Sequence, residues 1–153
     1  MASETGPKVA GFAHQPLGEW TKEIAAGEAT QPEGALLIVV LATPTKFVEG
    51  ADTASSIFGG VALEQAEAGQ KCRALHPNCG LEVGPYVYNA GSASDAVVGK
   101  QVCVKDNQTV ELVSASSNKN VCGRITRVLA GSTTKVWFKC QTELNETSAL
   151  LDT

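Results

Sequence analysis

The chain has 153 residues, of which 43% are hydrophobic and 5% aromatic, and its formal net charge at pH 7 is −4. This length suits one compact domain with a buried core and argues against two domains. Fifteen glycines and long Val/Ala/Thr/Ser stretches favour many short strands over helices, and the acidic balance argues against general nucleic-acid binding.

The charge is distributed unevenly along the chain. Residues 1–70 carry three basic and nine acidic side chains, whereas residues 71–140 carry nine basic and four acidic ones. Charges of opposite sign attract across an interface and select which surfaces meet. The asymmetry therefore predicts contacts between complementary surfaces, either within the chain or between copies of it.

Neither a secretory signal nor a membrane span is expected. The N-terminus lacks the apolar core of a signal peptide. The longest apolar run, from Ala35 to Ala42, has eight residues, whereas a membrane-spanning helix needs about 20. We therefore expect synthesis in a cytoplasm and no membrane partner.

Residues 1–35 are predicted to form an extended N-terminal arm. Glycines and prolines interrupt this segment, which shows little periodicity. Leu17, Trp20 and Ile24 are three and four residues apart, a spacing that permits a short helical turn. Together with Phe12 they are candidate interface residues, because an arm carrying such side chains is expected to cover them. The arm is expected to pack either on its own barrel or on a neighbouring subunit.

The chain from Leu36 to residue 140 is predicted to be a β domain, followed by a C-terminal tail at 141–153. The run from Leu36 to Ala42 is continuous and apolar, as expected of a strand covered on both faces. Further strands follow at intervals of about ten residues, with turn residues between them. This spacing predicts an all-β fold, a small β-barrel or β-sandwich.

Two similar hairpins are predicted, one from Ile57 to Leu75 and one from Val121 to Cys140. Each has a glycine early in its first strand, an Ala-Gly pair in its connection, and a second strand of alternating basic and apolar residues. The two hairpins are expected to build a single barrel. In the last strand Lys135, Trp137 and Lys139 share one face, which makes Trp137 a candidate subunit-contact anchor.

The residue types of a metal site occur in a Cys-x3-His-x2-Cys cluster formed by Cys72, His76 and Cys79. A closed zinc site needs a fourth ligand, which one of the remaining cysteines would have to supply. The preferred interpretation is a turn histidine flanked by packed thiols. Five cysteines are an odd number, which fits a complete disulfide framework poorly.

The sequence does not support catalysis. His14 and His76 are the only histidines, and neither lies in a recognisable nucleophile motif. The Gly-x-Ser-x-Gly elbow, phosphate-binding loops and dinucleotide fingerprints are missing. We therefore predict a protein that is not an enzyme and that uses no cofactor or metal.

Four segments carry a resemblance to a known family: Phe58 to Arg73, Gly84 to Tyr88, Val121 to Val128, and Lys135 to Lys139. Their order and residues resemble the capsid decoration (cement) proteins of tailed bacteriophages. In that family a Gly-Val-Ala-Leu-Glu-x-Ala-x-Ala-Gly hairpin, a Gly-x-x-Val-Tyr segment and a closing Val-Gly-Arg strand recur. Cys72, Cys122 and the segment 1–35 depart from this pattern.

The resemblance implies a small non-catalytic β-barrel or sandwich, commonly a homotrimer, that binds the outer surface of a capsid. Its partners would be the major capsid protein and further copies of itself, with no nucleic acid or membrane. Such a protein would be made in the host cytoplasm, join the virion and stabilise the shell by bridging neighbouring capsid subunits. The alternative is a virion-surface carbohydrate- or receptor-binding β module, a fibre or adhesin domain, with Tyr86, Tyr88 and Trp137 as its candidate aromatic contacts.

Overall fold

A computed structural model describes residues 18–90, 93–129, 131 and 134–142 of the chain. Phe12, Leu17 and the tail beyond residue 142 lie outside the described residues. The described part is nearly all strand, with two short 3-10 turns at Asp95–Val97 and Val113–Ala115. Its strands are β1 (Glu19–Ile24), β2 (Leu36–Val40), β3 (Lys46–Glu49), β4 (Ser56–Ala62), β5 (Lys71–Leu75), β6 (Glu82–Tyr88), β7 (Gln101–Asp106), β8 (Thr109–Leu112), β9 (Val121–Leu129) and β10 (Lys135–Cys140).

These described strands form two closed barrels of five strands each. Around barrel 1 the order is β1-β3-β2-β4-β5, and around barrel 2 it is β6-β8-β7-β9-β10. The pairs β1–β3 and β6–β8 are parallel and all the other pairs are antiparallel. The two barrels therefore have the same topology, and closure removes the free strand edges that an open sheet would expose.

The strand register shows that the barrels are copies of one structural unit. Leu37 lies opposite Gly60 in barrel 1, and Val102 lies opposite Gly123 in barrel 2. A register shift follows directly after Leu37 and directly after Val102, so both barrels have a β-bulge at the same place. Matching residues are about 64 positions apart, and self-similarity at a constant spacing marks a repeated unit.

The strand β2 shows why its sequence is apolar throughout. Leu37 and Val39 point into barrel 1, where they join a core cluster with Phe47. Leu36 and Ile38 point the other way and belong to the core of barrel 2. Because Leu36 to Val39 are buried on both faces of the sheet, the prediction of a doubly buried strand is confirmed for these residues. The strand ends at Val40, however, and Leu41, which the predicted run included, is 56% exposed.

Outward-facing apolar residues of barrel 1 pack against the core of barrel 2, and hydrogen bonds also join the two barrels. Phe58 of β4 lies 6.4 Å from Phe138 of β10, measured between ring centroids. The Tyr86 hydroxyl donates to the carbonyl of Gly34 at 2.7 Å, and burial raises the pKa of this hydroxyl. The interface between the two barrels is therefore packed as closely as a protein interior.

Two sequence predictions differ from the structure although the all-β barrel class is confirmed. The hairpins β4–β5 and β9–β10 exist, but each belongs to its own barrel instead of sharing one. The helical turn permitted at Trp20 and Ile24 is wrong, because these residues lie in β1, which pairs with β3 and β5. Tertiary pairing thus outweighs a weak local spacing, and the described part of the predicted arm belongs to barrel 1.

Candidate interaction surfaces

The predicted anchor Trp137 lies half-buried on the outward face of β10. Its neighbours Val136, Phe138 and Cys140 are buried, so the predicted inside–outside split of this strand is confirmed. The Arg127 guanidinium stands 4.2 Å from the centroid of the Trp137 ring. A cation at this distance over an indole is stabilised by the ring's negative face.

Glu82 completes this cluster, which we call the Trp137 cluster (Glu82, Thr126, Arg127 and Trp137). Glu82 Oε1 accepts from the Arg127 guanidinium at 3.1 Å, and Glu82 Oε2 accepts a short hydrogen bond from the Thr126 hydroxyl. The Thr126 hydrogen bond, followed by the Arg127 charge, lowers the pKa of the Glu82 carboxyl. The carboxylate therefore stays ionised and holds Arg127 over the indole ring.

Barrel 1 carries a matching cluster at the equivalent positions, formed by Glu19, Glu64 and Arg73. The Arg73 guanidinium lies 3.4 Å from Glu19 and 3.7 Å from Glu64, and the Arg73 amide donates to Glu64 at 3.0 Å. Glu19 matches Glu82 in the register, and Arg73 matches Trp137. Both barrels thus have a charged cluster that joins their first and fifth strands to the end of the fourth, with Glu64 two residues beyond β4.

Trp20 and Ile24 contribute to barrel 1 itself. Ile24 is fully buried in its core. The Trp20 indole N–H donates to the carbonyl of Gly59 at 2.8 Å, and its ring lies 6.1 Å from Phe47 and 4.8 Å from His76. Of the arm's candidate interface residues, these two therefore lie on the chain's own barrel.

A groove of about 430 Å³ runs beside Trp20 where the two barrels meet. Its floor includes Ile57, whose side chain is 45% exposed. The polar groups on its walls largely bond within the chain: Asn120 donates to Ser56 at 2.8 Å, and Asn78 accepts from the Thr142 amide at 2.9 Å. The groove is larger than three other concave sites of the described residues, whose volumes are about 240, 250 and 280 Å³.

The three candidate zinc ligands, Cys72, His76 and Cys79, differ in burial and in the side chains around them. Cys72 lies inside barrel 1, where burial raises its pKa, whereas His76 packs on Trp20 and Cys79 is half-buried. Burial and the neighbouring Cys79 thiol raise the pKa of Cys140. Among the described residues no group of three or more His, Cys, Asp or Glu could hold a metal ion, so the candidate zinc ligands are not brought together there.

The aromatic contacts suggested for receptor or glycan binding are largely inaccessible. Tyr86 and Tyr88 are 8% and 4% exposed, so their rings belong to the core of barrel 2. Of those three candidates, Trp137 alone has a partly open ring. This placement weakens the carbohydrate-binding interpretation.

Sequence reasoning missed both charged clusters. Each combines residues that lie on, or just beyond, three strands, and their proximity depends on which strands become neighbours. The repeat was the available signal in the sequence. When Gly60 is aligned with Gly123, Glu19 is aligned with Glu82, and Glu64 is aligned with Arg127. A complete alignment of the two halves would have indicated equivalent surface positions.

Comparisons with known proteins leave these surfaces unassigned. No protein-family model matches the sequence, and no curated protein matches it significantly. The described residues form no helix that is both long and apolar enough to cross a membrane.

Proposed function

We propose that this chain is a structural virion protein, a capsid decoration (cement) protein that binds the outer capsid surface and bridges neighbouring major capsid subunits. The observation that carries the proposal is the tandem pair of closed barrels, which present charged clusters at equivalent positions. The hairpins that resemble the decoration family are β4–β5 and β9–β10, and each contributes part of one cluster. A chain with two similar barrels offers two similar contact surfaces to a symmetric assembly such as a capsid.

The energetic advantage of such a protein is multivalency. Each contact on its own can be weak, but a second contact made by the same chain forms at an effective concentration on the order of millimolar. Association into a homotrimer, which we also propose, would multiply the number of linked contacts. Binding to the assembled shell but not to its dissociated subunits stabilises the shell by mass action.

A capsid-binding assay tests the proposal directly. Purified capsids that lack the protein are mixed with it and sedimented, and the heat stability of the particles is measured with and without saturation. We expect saturable binding and a higher disruption temperature. Trp137→Ala should weaken binding, whereas Leu41→Ala, at a side chain that is 56% exposed, serves as the matched control. Capsids that neither bind the protein nor gain stability would contradict the proposal.

The role of the N-terminal segment needs a deletion that spares barrel 1. Removing residues 1–35 would delete β1 and open the barrel, because β1 pairs with both β3 and β5. Removing residues 1–17, which include Phe12 and Leu17, leaves every described strand intact. We expect this shorter deletion to weaken capsid attachment more than it lowers the melting temperature, and unchanged attachment would count against an attaching arm.

A second candidate function is a receptor- or carbohydrate-binding module, favoured by the groove beside Trp20. An indole and several amides around a concave site are the groups that sugars contact. Glycan-array binding together with Trp20 fluorescence would detect it. A stable monomer that binds a glycan and ignores capsids would select this alternative.

A further inference from the structure

Two cysteines meet at the place where barrel 2 begins and ends. Cys79 lies in the connection between β5 and β6, and Cys140 is the last residue of β10. The Cys79 side chain packs against the core cluster that contains Cys140. Burial, followed by a direct interaction with the Cys79 thiol, raises the pKa of Cys140. The two sulfur atoms are therefore neighbours, and both thiols are free in the structure.

The backbone near the two cysteines is held at a separation that a disulfide can span. The Gly80 amide, directly after Cys79, donates to the Cys140 carbonyl at 3.2 Å, and the Cys140 amide donates to the Leu81 carbonyl at 3.0 Å. Residues paired across antiparallel strands have Cα atoms about 4.5–5.5 Å apart, and a disulfide spans about 4.4–6.8 Å between Cα atoms. A bond between Cys79 and Cys140 is therefore compatible with the positions of the strands.

Barrel 1 has the same backbone arrangement without the thiol pair. His76 occupies the position of Cys140, because its amide donates to the Gly18 carbonyl as the Cys140 amide donates to the Leu81 carbonyl. The residue two positions before Gly18, which matches Cys79, is a proline. The barrel therefore closes without thiols at these two positions, and the pair in barrel 2 is a feature of that copy alone.

The two thiols differ in their access to solvent. Cys79 is half-buried and lines an open cavity of about 280 Å³ with Gly18, Asn78 and Leu81. Cys140 is 1% exposed, and its raised pKa keeps it protonated at neutral pH. Because an exposed thiolate is the reactive form of cysteine, a reagent from solution reaches Cys79 first. Cys140 then reacts through its contact with Cys79.

We propose that Cys79 and Cys140 form a reversible disulfide when the chain meets a small-molecule disulfide such as oxidised glutathione. The Cys79 thiolate attacks one sulfur atom of that molecule, which forms a mixed disulfide and releases one thiol. The Cys140 thiolate then attacks the Cys79 sulfur, which forms the protein disulfide and releases the second thiol. The two cysteines lose two electrons, which reduce the small disulfide to two thiols, and the two cysteine protons end on those thiols.

The disulfide would tie the end of barrel 2 to the connection between the barrels. All five strands of barrel 2 lie between Cys79 and Cys140, so the bond encloses the whole barrel in one covalent loop. A disulfide stabilises mainly by restricting the unfolded chain, and a longer loop gives a larger effect. Thiols stay free in reducing compartments, whereas disulfides persist in oxidising ones. Barrel 2 is thus more stable in oxidising surroundings, whether or not the chain decorates a capsid.

Oxidation of the native chain gives the first test. The protein is equilibrated in glutathione buffers of rising oxidised-to-reduced ratio, and its free thiols are blocked before denaturation and mass mapping. We expect the five thiols to fall to three, with the tryptic peptides 74–100 and 140–153 linked to each other. The melting temperature should rise by about 5–15 °C and return after reduction with dithiothreitol. A chain that keeps five thiols, or that links Cys140 to Cys122, would overturn the inference.

Three variants test the identity of the pair and the order of the steps. Cys79→Ser should form no disulfide and show no rise in melting temperature. Cys140→Ala should instead accumulate a stable mixed disulfide on Cys79, because the second thiol is missing. Cys122→Ala is the matched control, since Cys122 also lies near Cys140, and this variant should form the Cys79–Cys140 bond as the wild type does. A rise in melting temperature that persists in Cys79→Ser would overturn the inference, and the wild-type peptide map decides the pairing if a core variant fails to fold.

Discussion

Two glycines at equivalent places in the barrels allow the close packing of the repeat to be tested. Gly60 and Gly123 lie on the fourth strand of each barrel, where a carbonyl of the fifth strand leaves no space for a Cβ atom. The blocking carbonyl belongs to Leu75 in barrel 1 and to Lys139 in barrel 2, where the Phe138 ring also intrudes. Alanine at either glycine would push the fifth strand away from the fourth.

Three substitutions separate the steric cost from the backbone cost. Gly27 has a φ of +86° and nothing within 4 Å of an added Cβ, so Gly27→Ala carries only the left-handed backbone cost of about 1–2 kcal/mol. Gly123 is not among the positive-φ glycines, so Gly123→Ala carries only an overpacking cost of about 1–3 kcal/mol. Gly60 has a φ of +111° and a blocked Cβ position, so Gly60→Ala should lose about 2–5 kcal/mol.

Urea denaturation of the three variants, followed by circular dichroism, measures these losses as changes in the free energy of unfolding. The expected order of stability is wild type, then Gly27→Ala and Gly123→Ala, then Gly60→Ala. If Gly60→Ala is no less stable than Gly27→Ala, the fifth strand yields easily to a new side chain. The close approach of the two strands would then be a poor explanation for glycine at these positions.

Three further substitutions or reactions test other parts of the structure. Burial, partly opposed by Lys105, raises the pKa of the Glu111 carboxyl. In urea denaturation, Glu111→Gln should therefore be more stable than the wild type at pH 7, and the difference should shrink as pH falls from 7 to 5, because the wild-type carboxyl becomes protonated. Tyr86→Phe removes the hydrogen bond to Gly34 between the barrels. In urea denaturation this variant should lose about 1–2 kcal/mol of the free energy of unfolding, and a loss below about 0.5 kcal/mol would show that the hydrogen bond contributes little to holding the barrels together. Cys79 is half-buried whereas the other cysteines are buried. Peptide mapping after brief thiol labelling of the native protein should therefore find Cys79 modified first. Faster labelling of Cys122 would contradict its assignment to the core.

The sequence was informative where local pattern determines structure. The alternation in Lys135 to Cys140 correctly predicted which side chains of β10 face the core, and the apolar run after Ala35 predicted a strand covered on both faces. Both predictions depend only on the two-residue period of a strand and on burial. The all-β class followed from the same signals.

The sequence was less informative where long-range pairing decides. Nothing in the residues of β4–β5 and β9–β10 indicates whether two hairpins share a barrel or close separate ones, because closure depends on parallel pairs such as β1–β3. β1 itself was hidden, since its six residues lie among glycines and prolines and bury only Ile24 completely. The charged clusters depend on these same pairings, so they could not be found before the strand order was known.

Imaging of capsids with and without the protein is the most direct test of the proposed decoration function. Under the proposed function, capsids that carry the protein should show additional density on the outer surface, at threefold or quasi-threefold positions, with two barrels for each copy. Particles assembled without the protein should lack this density and regain it when the purified protein is added. Identical outer surfaces in the two preparations, at saturating protein, would contradict the account.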